Sequence, residues 1–229
     1  NPEAGDRVYM VGGRVGSDGI HGATFSSLEL TDDSPSSAVQ IGDPITQKKM
    51  MDMLLEARDA CLITCTTDNG AGGLSSSIGE MAEYTNGCEI DLAKVPLKQE
   101  GLSSGEILVS ESQERMTVAV APKDKEAFEA LARLHEVEAT PVATFTDTGY
   151  FHVKHGEDTV AYLPITFLHD GVPQLELESE WIPPQHEAFV PPKDIDQSSL
   201  LKEMLARPNI ASKETWVRQY DHEVPEGLS

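Results

Sequence analysis

Apolar and polar positions are patterned most sharply between Cys61 and Tyr84, CLITCTTDNGAGGLSSSIGEMAEY. Residues 61–67 are short, apolar and rich in β-branched side chains, as an interior strand is, and beyond the glycines Leu74, Ile78, Met81 and Ala82 recur at helical spacing. The pattern predicts a strand, a glycine loop with Asp68 at the turn, and a helix. Upstream, RVYMVG (7–12) reads as a strand. Asp43 and Pro44 read as the N-cap and first residue of a helix that turns Ile45, Met50, Met51, Leu54 and Leu55 inward and ends near Asp59. Downstream, Gly87 closes the central helix and CEIDLAKVPL (88–97) is a strand and its exit. GLSSGEILV holds a short helix or turn, and 115–121 forms a strand. A helix over 122–137 buries Phe128, Leu131 and Leu134, and 142–146 is again extended. From Tyr150 the alternation is hairpin-like, with turns at HGED and HDG separating VAYLPITFL from PQLELESEW. Interleaved helices and neighbouring antiparallel strands predict an α+β fold: a mixed, largely antiparallel sheet with helices packed on it.

The pattern changes after Trp181. Pro183, Pro184, Pro191 and Pro192 mark a linker, a short helix follows over 198–206, and the remainder is polar and aromatic. The expected division is therefore a domain over 1–182 and a segment over 183–229 suited to docking on another domain.

Composition narrows the function classes. The 229 residues are 39% hydrophobic, enough for a core, and carry a formal charge of −22, which argues against nucleic acid or an anionic membrane as partner. No apolar run approaches the roughly 20 residues of a membrane span, and no signal-peptide pattern opens the chain, so a cytoplasmic location is expected. Cys61, Cys65 and Cys88 form neither an even set nor a CxxC pair and read as reduced thiols, the first two on one face of a strand. His152 and His155, three apart in a strand, fall on opposite faces.

In so negative a field a phosphate ligand needs local backbone donors or a metal. Gly70, Gly72 and Gly73 would let N–H groups approach an anion at a helix N-terminus, with Asp68 holding Mg²⁺ beside it. The alternative is a tight turn in which Asp68 or Ser75 caps the helix. A second glycine-rich stretch, GGRVGSDGIHGATFSS (12–27), is a phosphate cradle or a surface hairpin, its Asp18 and His21 a solvent-facing pair. Glu111, Ser112, Gln113 and Glu114 form a polar run entering a strand, with no spacing that identifies a nucleophile and its base.

Six collinear blocks, GGRVGSDGIHGATFSS, VQIGDP, TTDNGAGGLSSSIGEMA, EIDLAKVPL, ILVSESQERM and NIASKETWVRQYDHEV, resemble formylglycinamidine ribonucleotide synthase, also called phosphoribosylformylglycinamidine synthase, of purine biosynthesis. The resemblance covers nearly the whole chain but only the C-terminal-type domain of that family's first half. It implies a fold like the C-terminal domain of aminoimidazole ribonucleotide synthetase. It also implies an ATP-dependent ligase: ATP activates the amide oxygen of formylglycinamide ribonucleotide as an iminophosphate, and ammonia from a separate glutaminase displaces phosphate. Carried over by motif, Gln40, Glu111, Ser112 and Gln113 would bind the ribonucleotide and Asp68 would bind Mg²⁺. The family's catalytic histidine and most ATP contacts match no position here, so no catalytic residue is assigned and His21 is not promoted to that role. Where relatives carry Gln-Asp-Met, this chain has Thr67-Asp68-Asn69, which keeps the carboxylate and changes its surroundings. The implied partners are formylglycinamide ribonucleotide, the remaining synthase domains and a glutaminase. The isolated piece is expected to be inactive and prone to self-association. The alternatives are a non-catalytic phosphate-binding domain and another ATP-using enzyme of the superfamily; VQIGDP together with SESQER favours the purine synthase.

Overall fold

A computed structural model describes residues 1–20, 22, 42–184 and 195–214. The chain divides into two compact units, 1–173 and 174–229.

The first unit is built on β1 (Arg7–Gly12), whose interior is buried on both faces. Side chains alternate across a strand, so Val8 and Met10 enter one apolar cluster while Tyr9 and Val11 enter another. Around β1 run six further strands: β2 (Cys65–Asp68), β3 (Cys88–Asp91), β4 (Arg115–Val120), β5 (Ala139–Phe145), β6 (Tyr150–His155) and β7 (Asp158–Pro164). The sheet order is β2-β4-β1-β5-β3-β6-β7, and every pairing is antiparallel except β3 with β6. The expected mixed, largely antiparallel sheet is what forms.

Two helices, α1 (Pro44–Asp59) and α2 (Gly73–Thr85), close the two clusters. Leu74, Ile78, Met81 and Ala82 of α2 join Val8, Met10, Ile90, Phe145 and Phe151. Met50, Met53, Leu54 and Ala57 of α1 join Tyr9, Val11, Val118 and Phe128, the last from α4 (Lys125–Leu134); a short α3 (Ser104–Val109), opened by a Ser103–Glu106 capping box, precedes β4. Asp43 caps α1 as expected, accepting from the N–H groups of Ile45 and Thr46.

Departures from expectation fall where chain ends or turns lack a sequence mark. The strand expected over 61–67 begins only at Cys65, because 60–62 finish α1. Cys61 adopts φ +56°, its N–H donates to the Arg58 carbonyl and that of Leu62 to the Ala57 carbonyl, a Schellman closure with cysteine in the place usually taken by glycine. Cys61 and Cys65 therefore share no strand face. Glu136, at φ +54°, closes α4 the same way, so Leu134 is 74% exposed instead of inward, while Phe128 and Leu131 are buried. β7 stops at Pro164 and residues 165–170 form a helix, α5 (Ile165–Asp170); PQLELESEW pairs with no strand among the described residues. In the second unit the helix α6 (Gln197–Ala206) buries none of its residues and exposes Leu201 and Leu205. Among the described residues no helix is long and apolar enough to cross a membrane.

Candidate functional site

Asp68 is the last residue of β2, paired with Met116, and its exposed carboxylate accepts the Gly70 N–H at 2.7 Å through Oδ1. The glycine loop then closes on itself. Gly73 N–H donates to the Gly70 carbonyl and Ser75 N–H to the Gly72 carbonyl, while Gly72 N–H reaches across to Glu111 Oε1 at 3.2 Å. Gly73 is held at φ +55°, and a Cβ there would stand 2.2 Å from the Ser110 carbonyl oxygen. The loop is thus shaped to let the chain after α3 approach closely, and the four N–H groups of residues 70, 72, 73 and 75 are bonded within the protein. An open anion cradle is not what these amides form. Nor do Asp68 and Ser75 cap α2: its N-cap is Gly72, without a side-chain bond, and the Ser75 hydroxyl donates to the Gly72 carbonyl at 2.6 Å.

Glu111 and Ser112 are buried, Gln113 is exposed, and Glu114 stands at φ +56°. Glu111 places an anion at the positive end of α2. Ser112 Oγ accepts the Gly16 N–H at 3.0 Å and donates to Asp18 Oδ1 at 2.8 Å, and Ser110 Oγ donates to the Gly16 carbonyl at 2.8 Å. The first glycine-rich stretch is in this way laced to the polar turn. Asp18 is consequently not a solvent-facing loop residue: its side chain is 14% exposed and pairs with Lys98 Nζ at 2.9 Å. Burial alone would raise its carboxyl, but bonds from Lys98 and Ser112 hold it below the usual carboxylate range. His21 and Gln40 lie outside the described residues.

Two clefts flank the turn. The smaller, about 210 Å³, is lined by Asp68, Asn69, Gly70, Ser112, Gln113 and Arg115 among others. The larger, about 400 Å³, is lined by Gly13, Asp43, Lys49, Lys98, Gln113 and Glu114 among others. Gln113 and Glu114 belong to both. The structure therefore brings Asp68, Ser112 and Gln113 to one cleft and Glu111 to the loop that follows Asp68. Asp43, from the block that contains Gln40, lies on the other cleft.

One exposed carboxylate suits a hard divalent cation that keeps water and ligand oxygens. Among the described residues no group of three His, Cys, Asp or Glu side chains forms a protein cage for an ion. Asp68 fits Mg²⁺ in the first manner only. Asn69 beside it is buried, its Oδ1 accepting from Ser77 (3.0 Å) and Thr117 (3.1 Å), which anchors the chain directly after the carboxylate. Lys98 and Arg115 were not singled out from sequence; Asp18 was read only as half of a solvent-facing pair and Asn69 only as a changed neighbour of Asp68. The one local sign was Arg115, a charge opening an otherwise apolar strand pattern.

The described residues thus form an α+β domain in which two glycine-rich loops are bonded to one polar turn, with the exposed carboxylate of Asp68 beside it. The AIR synthase related protein C-terminal domain family matches residues 3–156, and the chain belongs to that family. It is 42% identical over 226 residues to phosphoribosylformylglycinamidine synthase subunit PurL of Methanopyrus kandleri, covering 96% of this chain and 31% of that protein. To the same subunit of Staphylococcus carnosus it is 38% identical over 227 residues, covering 96% of this chain and 30% of that one. Among solved structures, T. maritima PurL complexed with FGAR superposes with a TM-score of 0.72 at 33% identity, over 82% of this chain and 31% of the other. T. maritima PurL complexed with ATP gives 0.67 at 26%, over 89% and 32%. The chain spans under a third of these relatives' length.

Proposed function

We propose that this chain is the portion of a PurL-type phosphoribosylformylglycinamidine synthase that holds one Mg²⁺ and part of the ribonucleotide. The whole protein would be an ATP-dependent ligase that converts formylglycinamide ribonucleotide, ATP and ammonia to formylglycinamidine ribonucleotide, ADP and phosphate. The observation that carries the proposal is the meeting of Asp68 with Ser112 and Gln113 on one cleft. The likeness to PurL, including forms complexed with FGAR and with ATP, supports it.

In this proposal Asp68 holds the cation, which when bound neutralises charge on the phosphoryl group. Gly70 N–H orients the carboxylate through Oδ1. Gln113 offers a neutral donor and acceptor to ribose hydroxyls or phosphate oxygens, Gln40 would do the same, and Glu111 and Ser112, buried and bonded inward, support the ribonucleotide site through the loops they hold. Positioning is most of what such chemistry asks of a protein. General acid/base groups and most of the ATP contacts belong to other domains of the synthase, and ammonia to a glutaminase partner; a relative's structure is that of PurLQS from Thermotoga maritima. Residues 1–182 form the family domain and 183–229 the connection onward. The location is cytoplasmic.

The test is Asp68→Asn in the full-length synthase. Formylglycinamide ribonucleotide-dependent ADP release should need a markedly higher Mg²⁺ concentration for half-maximal rate, with the unfolding midpoint nearly unchanged. A Mg²⁺ titration that overlays the wild type would remove Asp68 from the metal site.

A further inference from the structure

The turn between α3 and β4 sends its polar side chains in different directions. Glu111 and Ser112 are 5% and 1% exposed and bond inward, to Gly72 N–H and to Gly16 N–H and Asp18, whereas Gln113 is exposed and walls both clefts. At the centre is Arg115, itself 3% exposed. Its Nε donates to the Ser112 carbonyl at 2.7 Å, Nη2 donates to the Ser110 carbonyl, and Nη1 lies 3.8 Å from Met10 Sδ. A guanidinium so deeply buried is costly: burial pulls its pKa down to about 10, with Asp18 opposing the shift. Core packing alone would be served better by an apolar side chain of the same size. What the charge supplies is a rigid planar fork on two carbonyls that flank Glu111, an arrangement a lysine cannot reproduce.

We infer that Arg115 is a positioning residue of the binding site. By holding the carbonyls of Ser110 and Ser112 it bends the turn so that Glu111 and Ser112 lock the two glycine-rich loops, and Gln113 is the side chain of the three that meets ligand. The inference rests on the placement of the ribonucleotide at this turn. It divides the polar run into two roles: Glu111 and Ser112 act through the loops they hold, and Gln113 acts on the ligand directly.

Arg115→Lys and Arg115→Met in the full-length synthase test this through amide hydrogen exchange and steady-state kinetics. In Arg115→Lys the amides of Gly16 and Gly72, both donors to side chains of the turn, should exchange about tenfold faster while those of β1 stay protected. The Michaelis constant for formylglycinamide ribonucleotide should rise about tenfold with that for ATP unchanged. If Arg115→Met fails to fold, Arg115→Lys carries the test alone. Wild-type exchange at Gly16 and Gly72 in Arg115→Lys would overturn the positioning role, and a Gln113→Ala variant with a raised ribonucleotide Michaelis constant would then leave the proposed function standing. Faster exchange with an unchanged ribonucleotide Michaelis constant in both Arg115→Lys and Gln113→Ala would overturn the substrate placement, and the inference with it.

Discussion

The glycine loop at 70–73 and the polar turn at 110–113 look, as sequence, like a ligand cradle and its accessory, and the structure reverses that relation. The loop's N–H groups at Gly70, Gly72 and Gly73 are bonded internally, to Asp68, to Glu111 and to the Gly70 carbonyl. Its glycines make room for the turn: a Cβ on Gly73 would meet backbone, the Ser110 carbonyl, while one on Gly70 would meet only the Asp68 carboxylate, at 2.6 Å. Glycine at position 73 thus signals close approach of chain to chain, while Asp68 and Gln113 are the exposed side chains at the rim.

This contrast is broken most strongly by alanine at the two glycines. Gly73→Ala combines a left-handed backbone with a clash against a carbonyl that cannot swing aside, so a loss of more than about 2 kcal/mol of stability is expected. Gly70→Ala can be relieved by rotation of the Asp68 side chain and should cost well under half as much, while weakening Mg²⁺ dependence as Asp68→Asn does. Urea unfolding of both variants measures the difference. Equal losses would mean that the turn does not rest on Gly73.

A smaller effect separates the two loops by pH. The carboxyl of Asp18 is held below its usual range, so its ion pair with Lys98 and bond from Ser112 add stability above its unfolded value of about 4, and that stability is lost as pH falls through the lower folded value. The stability gap between wild type and Asp18→Asn should be full at pH 7 and shrink toward zero below about pH 4. A gap that stays constant down to pH 3 would show that the charge on Asp18 contributes nothing.

What the sequence disclosed and what it hid follow from distance along the chain. RVYMVG and the Leu74, Ile78, Met81 spacing are local patterns, and they were readable as a strand and an amphipathic helix. The end of α1 falls where it was read, near Asp59, but the following strand was begun too early, at Cys61, and α4 was carried too far, to Val137, because Cys61 and Glu136 close the two helices in a conformation that glycine usually marks. PQLELESEW alternates like a strand, yet alternation supplies no pairing partner. Asp68, Ser112 and Gln113, named from motifs, do line one cleft, whereas the contacts of Asp18 were not legible: it meets Ser112 across 94 residues, and no local spacing encodes that contact.

Gln113→Ala should be the gentlest and most selective change. The side chain is exposed, so removing it opens no core cavity, and stability should shift by no more than about 0.5 kcal/mol. If its amide bonds the ribonucleotide, the loss is that of one neutral hydrogen bond, on the order of 0.5 to 1.5 kcal/mol, or about a two- to tenfold rise in the Michaelis constant for formylglycinamide ribonucleotide. Glu111→Ala strikes the same turn from inside, stripping the Gly72 N–H of its partner, and should lower stability more than it alters ribonucleotide affinity. Thermal unfolding read beside the two Michaelis constants ranks the pair. A Gln113→Ala protein that is destabilised like Glu111→Ala, with unchanged ribonucleotide kinetics, would place Gln113 among the residues that hold the loops together and erase the distinction between rim and interior.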